Sequence, residues 1–217
     1  MLFAFQVTEW ANERGNRKAE KNAIERLITE YEQNLEILND DKLKTQSTLD
    51  ASVKLLSFAA PEPVPNMTDA SVAQLLMECL TNAKFIPNLG ATNSITTSGD
   101  LALIQDLDIQ RQLSAWQSEL RVLNEWQDIE RINGEELIFV YTTQYIAWPN
   151  VSHSLGRFET KSQNQSDYTG LFSSKQFEGL LFNRWVNTRD NLKMMEDLES
   201  ETHELLDLLR TRYEELN

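Results

Sequence analysis

Cysteine is almost missing from this sequence. With Cys79 alone, neither an intramolecular disulfide nor a multi-cysteine zinc site can form, and its setting in the apolar run VAQLLMECL is one where a free cysteine packs as a small hydrophobe. Glycine and proline are also scarce, 7 and 5 among 217 residues. Together with long stretches rich in Leu, Glu, Arg and Gln, that scarcity argues against a strand-and-turn fold and for an all-α one. Basic residues are outnumbered, 20 against 34 acidic ones, giving a formal charge of −14. Such a chain repels phosphates and offers no extended basic stripe, so no nucleic-acid partner is expected. No run of about 18 apolar residues occurs, so no segment of this chain spans a bilayer by itself.

The usual carriers of catalysis are thin as well. The two histidines are His153, in a polar stretch, and His203, four residues after Glu199. A carboxylate-bridged metal bundle needs Glu-x-x-His on two helices, and one Glu199–His203 pair does not supply it, so neither a metal nor another cofactor is expected. Nucleophile elbows, Ser-x-x-Lys and phosphate-cradling glycine loops are absent from the sequence. The acidic run Glu196, Asp197, Glu199, Glu201, Glu204 and Asp207 reads as a solvated helix face. The expected function is therefore non-enzymatic: a binding, scaffolding or sensory module, with a protein partner or a second copy to cover its amphipathic faces. A ligand-binding bundle with a deep apolar pocket near Trp116, Trp126 or Trp185 is one alternative. An enzyme in which Glu199, His203 or Asp207 converge in a cleft is the other.

What is present is helical periodicity, and it predicts an antiparallel bundle with long first, penultimate and last helices. Ile24, Leu27, Ile28, Tyr31, Leu35 and Leu38 mark one face of a helix from about 9 to 39. NDDKLK reads as a turn, followed by a second helix on Leu49, Val53, Leu56 and Ala60 that ends at PEPVP. Thr68 or Asp69 caps a buried helix through ASVAQLLMECLTNAKF, and Gly99 marks a corner. Leu113, Trp116, Leu120 and Leu123 form a coiled-coil-like seam that continues through Ile129, Ile132, Leu137 and Tyr141, with a kink near Gly134. Residues 148–172 read as a long exposed connection. Ser173 or Ser174 then caps a last helix whose inner side carries Phe177, Leu181, Leu192, Met195, Leu206, Leu209, Tyr213 and Leu216, with Glu199 and Thr202 also at seam positions.

The chain opens MLFAFQVTEWANERGNRKAE, an apolar run, then a tryptophan, then basic residues. The run is too short for a signal-peptide core. Two readings stand: a helix end that packs on the bundle, or the tail of a longer apolar helix. In the second, Trp10 lies at a membrane–water boundary with Arg14, Arg17, Lys18 and Lys21 just beyond it.

Three stretches carry a resemblance. FQVTEWANERGNRKAEKNAIERL resembles the segment after the transmembrane helix in a bacterial family of uncharacterised proteins, domain of unknown function 6090, with Phe5, Gln6, Val7, Trp10, Asn12 and Arg14 matching its pattern. TTSGDLALIQDLDIQRQLSAW is similar to that family's corner and following Leu-rich helix, and FEGLLFNRWVNTRDNL through LLDLLRTRYEEL is similar to its last helix. The resemblance implies a single-pass, membrane-anchored helical domain of the bacterial inner membrane, without an assigned activity. Residues 1–8 would be the remnant of the anchor, with Leu2, Phe3, Phe5, Val7 and Trp10 membrane-proximal, and 9–217 a single helical-bundle domain. The front of the anchor is lacking, which a downstream start codon or a trimmed chain would explain, and the shortened chain itself can be soluble. The basic cluster after Trp10 alone would hold the domain in the cytoplasm. Basic residues in front of the family's anchors offset that pull, so the periplasm is the expected side.

Overall fold

A computed structural model of the protein describes the backbone of residues 2–59, 68–97 and 100–217, and the side chains of 14–59, 68–96 and 101–217. The fold is an all-α bundle; among the described residues there is no strand. Its long elements are α1 (Leu2–Ser57), α4 (Leu107–Arg131) and α8 (Lys175–Glu215). Between them lie α2 (Asp69–Cys79), α3 (Gly90–Thr97), a 3-10 turn (Asp100–Leu103), a π-helix (Ile132–Phe139), α5 (Val140–Thr142), α6 (Trp148–Ser154) and α7 (Tyr168–Phe172). Arg17 reaches the carbonyl of Glu215 and Arg210 pairs with Glu32, so α1 and α8 run antiparallel. The long helices contribute to two compact units. The first takes α1 up to Asn39, Phe85–Val122 and Glu196–Asn217; the second takes Asp40–Lys84 and Leu123–Met195.

The first helix is longer than its apolar pattern indicates, because NDDKLK is not a turn. Buried positions alternate by three and four from Ile24 through Leu27, Tyr31, Asn34, Leu38, Asp41, Thr45, Thr48 and Ser52 to Leu55. The seam runs straight through; only its chemistry changes. Thr45, Thr48 and Ser52 hydrogen-bond the carbonyls of Asp41, Lys44 and Thr48, which lets polar residues sit inside a helix seam without leaving a hydroxyl unpaired. Val53, expected on the inner face, is exposed. Ala60 and PEPVP lie outside the described residues, as do Gly99 and the side chains of Leu2, Phe3, Phe5, Val7 and Trp10, whose backbone belongs to α1.

Thr68 does cap α2: its side chain accepts from Ser71 N–H while Ser71 reaches back, a capping box. The helix stops at Cys79, well short of Phe85, with Val72, Ala73, Leu76 and Cys79 buried. The α4 seam Ile109, Leu113, Trp116, Leu120 and Leu123 is buried as expected. Beyond it the expected continuation fails, since Ile129, Ile132 and Leu137 are exposed. The wider turns of the π-helix take more residues each, so the inward face advances by fours instead, from Glu130 to Gly134 to Ile138 to Thr142.

The expected exposed connection at 148–172 is a correction of a different kind. It holds α6 and α7, with Val151, Tyr168, Leu171 and Phe172 buried. Pro149 sits in the first turn of α6, where its missing N–H costs nothing. Gly156, at φ +68, ends α6 in a left-handed conformation closed by Gly156 N–H to His153 O and Arg157 N–H to Ser152 O. Ser174 caps α8 by accepting from Phe177 N–H, and Phe177, Leu181, Met195, Leu206, Leu209 and Leu216 face inward, with Leu192 and Tyr213 half-buried.

Candidate functional site

The second unit has an apolar cluster at one side, Leu55, Val72, Leu76, Ile138, Val151, Leu171, Phe172, Phe177 and Leu181 among others. Where this cluster meets the polar part of the seam stands Arg184, fully buried on α8. Its guanidinium donates three ways: Nε to Cys79 O at 2.9 Å, Nη1 to Glu130 O at 2.7 Å and Nη2 to Thr81 O at 2.6 Å. Cys79 and Thr81 lie at the C-terminal end of α2, whose last carbonyls have no partner within the helix, so a cation there satisfies both hydrogen bonding and the helix dipole. The charge is balanced by Glu130, 3.4 Å from Arg184 Nη1 and itself buried. Glu130 in turn accepts from Thr188 Oγ1 at 2.7 Å and from Asn191 Nδ2. Thr48 completes the group by donating toward the carbonyls of Glu78 and Thr81.

Gly134 stands against this centre. A Cβ there would come within 3.2 Å of Asn82 Oδ1 and 3.5 Å of Arg184 Nη1, so the bare backbone is what lets the π-helix approach. Next to it Asn133 is buried, and neither amide atom has a partner among the described residues. Burial raises the Cys79 thiol above its ordinary pKa, with Ser52 Oγ at 3.5 Å opposing. The thiol therefore stays protonated, which fits a packing role and not a nucleophile.

Thr81 belongs both to this centre and to a cleft of about 410 Å³ beside it. Met77, Leu80, Phe139 and Trp148 give the cleft apolar walls; Thr81, Glu135 and Ser152 give it polar atoms. The Phe139 and Trp148 rings lie 5.0 Å apart at 43°. Glu135 projects from the π-helix and is held by Arg131 Nη1 at 3.0 Å; the same guanidinium reaches Glu136 at 3.5 Å. The indole N–H of Trp148 is buried without a partner among the described residues.

The first unit buries its polar groups differently. Glu30 on α1 accepts the first N–H groups of α3, from Ala91 and from Thr92 at 3.0 Å, and the Thr92 hydroxyl at 2.6 Å. A carboxylate at a helix N-terminus is favoured by both the orphan donors and the dipole. Asn34 clamps Asn88 through both backbone atoms, and Glu20 takes Arg212 in two bonds at 3.0 and 3.1 Å. Tyr31 meets Thr92 and packs edge-on against Trp116, whose indole donates to Thr202. Burial pushes the Tyr31 hydroxyl well above the ordinary tyrosine pKa.

The residues singled out from the sequence fall elsewhere. His203 and Asp207 are exposed, Glu199 is half-buried, and none of the three lines the cleft. Trp116 is buried in the first unit, and Trp126 and Trp185 are half-buried; the aromatic walls of the cleft are Phe139 and Trp148, the latter in the stretch expected to be an exposed connection. His153 lies 3.0 Å from Phe158 O. Among the described residues no three His, Cys, Asp or Glu side chains gather as metal ligands. Arg184, Thr188, Asn191 and Glu130 were missed because they are polar, yet their spacing continues the three-and-four seam and could have been read from register alone. Comparison with protein-family models, with curated proteins and with solved structures gives no match.

Proposed function

We propose that the protein is a helical binding module, scaffolding or sensory, held at a membrane through its N-terminal segment. The observation that carries this reading is α1 itself. The helix is unbroken from Leu2, so the apolar opening of the sequence is continuous with a helix of the bundle, which supports reading it as the end of an anchor. Arg14, Arg17 and Lys18 are exposed one to two turns further on, within reach of anionic headgroups. No helix among the described residues is long and apolar enough to cross a membrane. The resemblance of the opening stretch to a membrane-anchored family supports the same reading, with the periplasm as the side it would imply.

Binding is supported by the outer face of α4 and the π-helix, where Ile129, Ile132, Leu137, Phe139 and Val140 are exposed. The cleft at Trp148 favours a sensory role over a purely structural one. Flotation with vesicles of phosphatidylethanolamine and phosphatidylglycerol tests the attachment. The full chain should rise with the vesicles and a chain lacking residues 1–7 should stay below, with unchanged helicity by circular dichroism. Equal partition of the two chains defeats the reading.

A further inference from the structure

We propose that the cleft beside Trp148 binds a small organic cation, a protonated amine or quaternary ammonium carried on an aromatic or short aliphatic body. The inference rests on the reading of the protein as a binding module and gives that module a ligand class. At about 410 Å³ the cleft lies within the usual range for small-molecule sites. Its walls are Met77, Leu80 and two aromatic rings, which suit an apolar body and attract a cationic head through the ring quadrupoles. Met77 adds a polarisable thioether.

Charge decides the sign of the head. Among the described residues that line the cleft, Glu135 is the charged one. Arg131 does not cancel it, because that single guanidinium is shared between Glu135 and Glu136 and leaves the trio one negative charge in excess. A carboxylate or phosphate in the cleft would face this excess, and a neutral ligand would gain nothing from it. The hydroxyls of Thr81 and Ser152 are the acceptors available for the donors of an ammonium. The frame is fixed from behind: Arg184 holds the Thr81 carbonyl, and the Phe139 side of the cleft belongs to the π-helix.

Isothermal titration of the full chain with phenethylammonium, phenethyl alcohol and phenylacetate separates the cases, since the three share a shape and differ in charge. The cation should bind about tenfold more tightly than the alcohol, and phenylacetate most weakly. Glu135 is half-exposed at 55%, so Glu135→Gln keeps the fold; it should erase the preference for the cation over the alcohol while leaving alcohol binding in place. Trp148→Leu should weaken all three. Equal affinity for cation and alcohol, a preference that survives Glu135→Gln, or no binding of the cation at millimolar concentration overturns the proposal. None of these results bears on vesicle flotation, which judges the attachment of the module to a membrane.

Discussion

Glu30 in the first unit and Glu130 in the second meet the same physical problem, a carboxylate taken out of water, in opposite ways. In the first, Glu30 is held by neutral donors, two backbone N–H groups and a hydroxyl at the start of α3, and the seam is mostly apolar, with Leu27, Tyr31, Leu38, Leu113, Trp116 and Leu209 beside the polar Asn34 and Thr202. In the second, Glu130 faces a buried guanidinium, and the seam of all three long helices turns polar: Asp41, Thr45, Thr48 and Ser52 on α1, Gln127 and Glu130 on α4, Arg184, Thr188 and Asn191 on α8. A helix N-terminus stabilises charge without adding a second one. An ion pair must be hydrogen-bonded on every side or its desolvation exceeds its attraction. Arg184 meets that demand through three carbonyls, so its removal should cost more than the loss of the neutral cap.

The largest effect is therefore expected at Arg184. Arg184→Met should lower stability by about 3 to 5 kcal/mol in urea unfolding, since it strands Glu130 and three carbonyls together; a loss below about 1 kcal/mol would show that the pair is not what holds the second unit. Glu30→Ala should cost less, roughly 2 kcal/mol, because it leaves only the α3 donors unpaired. The reverse ranking would break the comparison.

The smallest effect separates the units by pH. Burial raises Tyr31 in the first unit, and burial with the Asp69 hydrogen bond raises Tyr168 in the second. A folded-state pKa above the ordinary value of about 10 means the contribution is intact below that pH and is lost as pH rises past it. The urea midpoint should fall above pH 10, with each tyrosine adding up to about 1.4 kcal/mol per pH unit. Tyr31→Phe should remove its share of that slope and leave the part due to Tyr168. An unchanged slope would place Tyr31 in contact with water.

Much of this was legible in the sequence, and the misses share a cause. Apolar spacing located the α4 seam, the buried face of α2 with Cys79, and the inner side of α8 at Phe177, Leu181 and Met195. It failed wherever the seam became polar. Asn39 to Lys44 looked like a break in α1, and the gap between Leu181 and Leu192 hid Arg184, Thr188 and Asn191. The register was continuous in both places; only hydrophobicity lapsed. The π-helix could not be foreseen from period, because it changes how many residues each turn takes and so turns Ile132 and Leu137 outward. The cleft was missed because Pro149 and Gly156 read as loop breakers, whereas one opens α6 and the other closes it.

Hydrogen–deuterium exchange of the full chain, free and on vesicles of phosphatidylethanolamine with phosphatidylglycerol, tests the central claim that a membrane-seated α1 end carries a folded binding module. The account predicts slower exchange on vesicles for the amides of residues 2–13, with those of the π-helix and α6 unchanged. Protection appearing instead along Ile129, Ile132 and Val140, with residues 2–13 unaffected, would contradict it and make the exposed apolar residues from the end of α4 to α5 the membrane-binding surface.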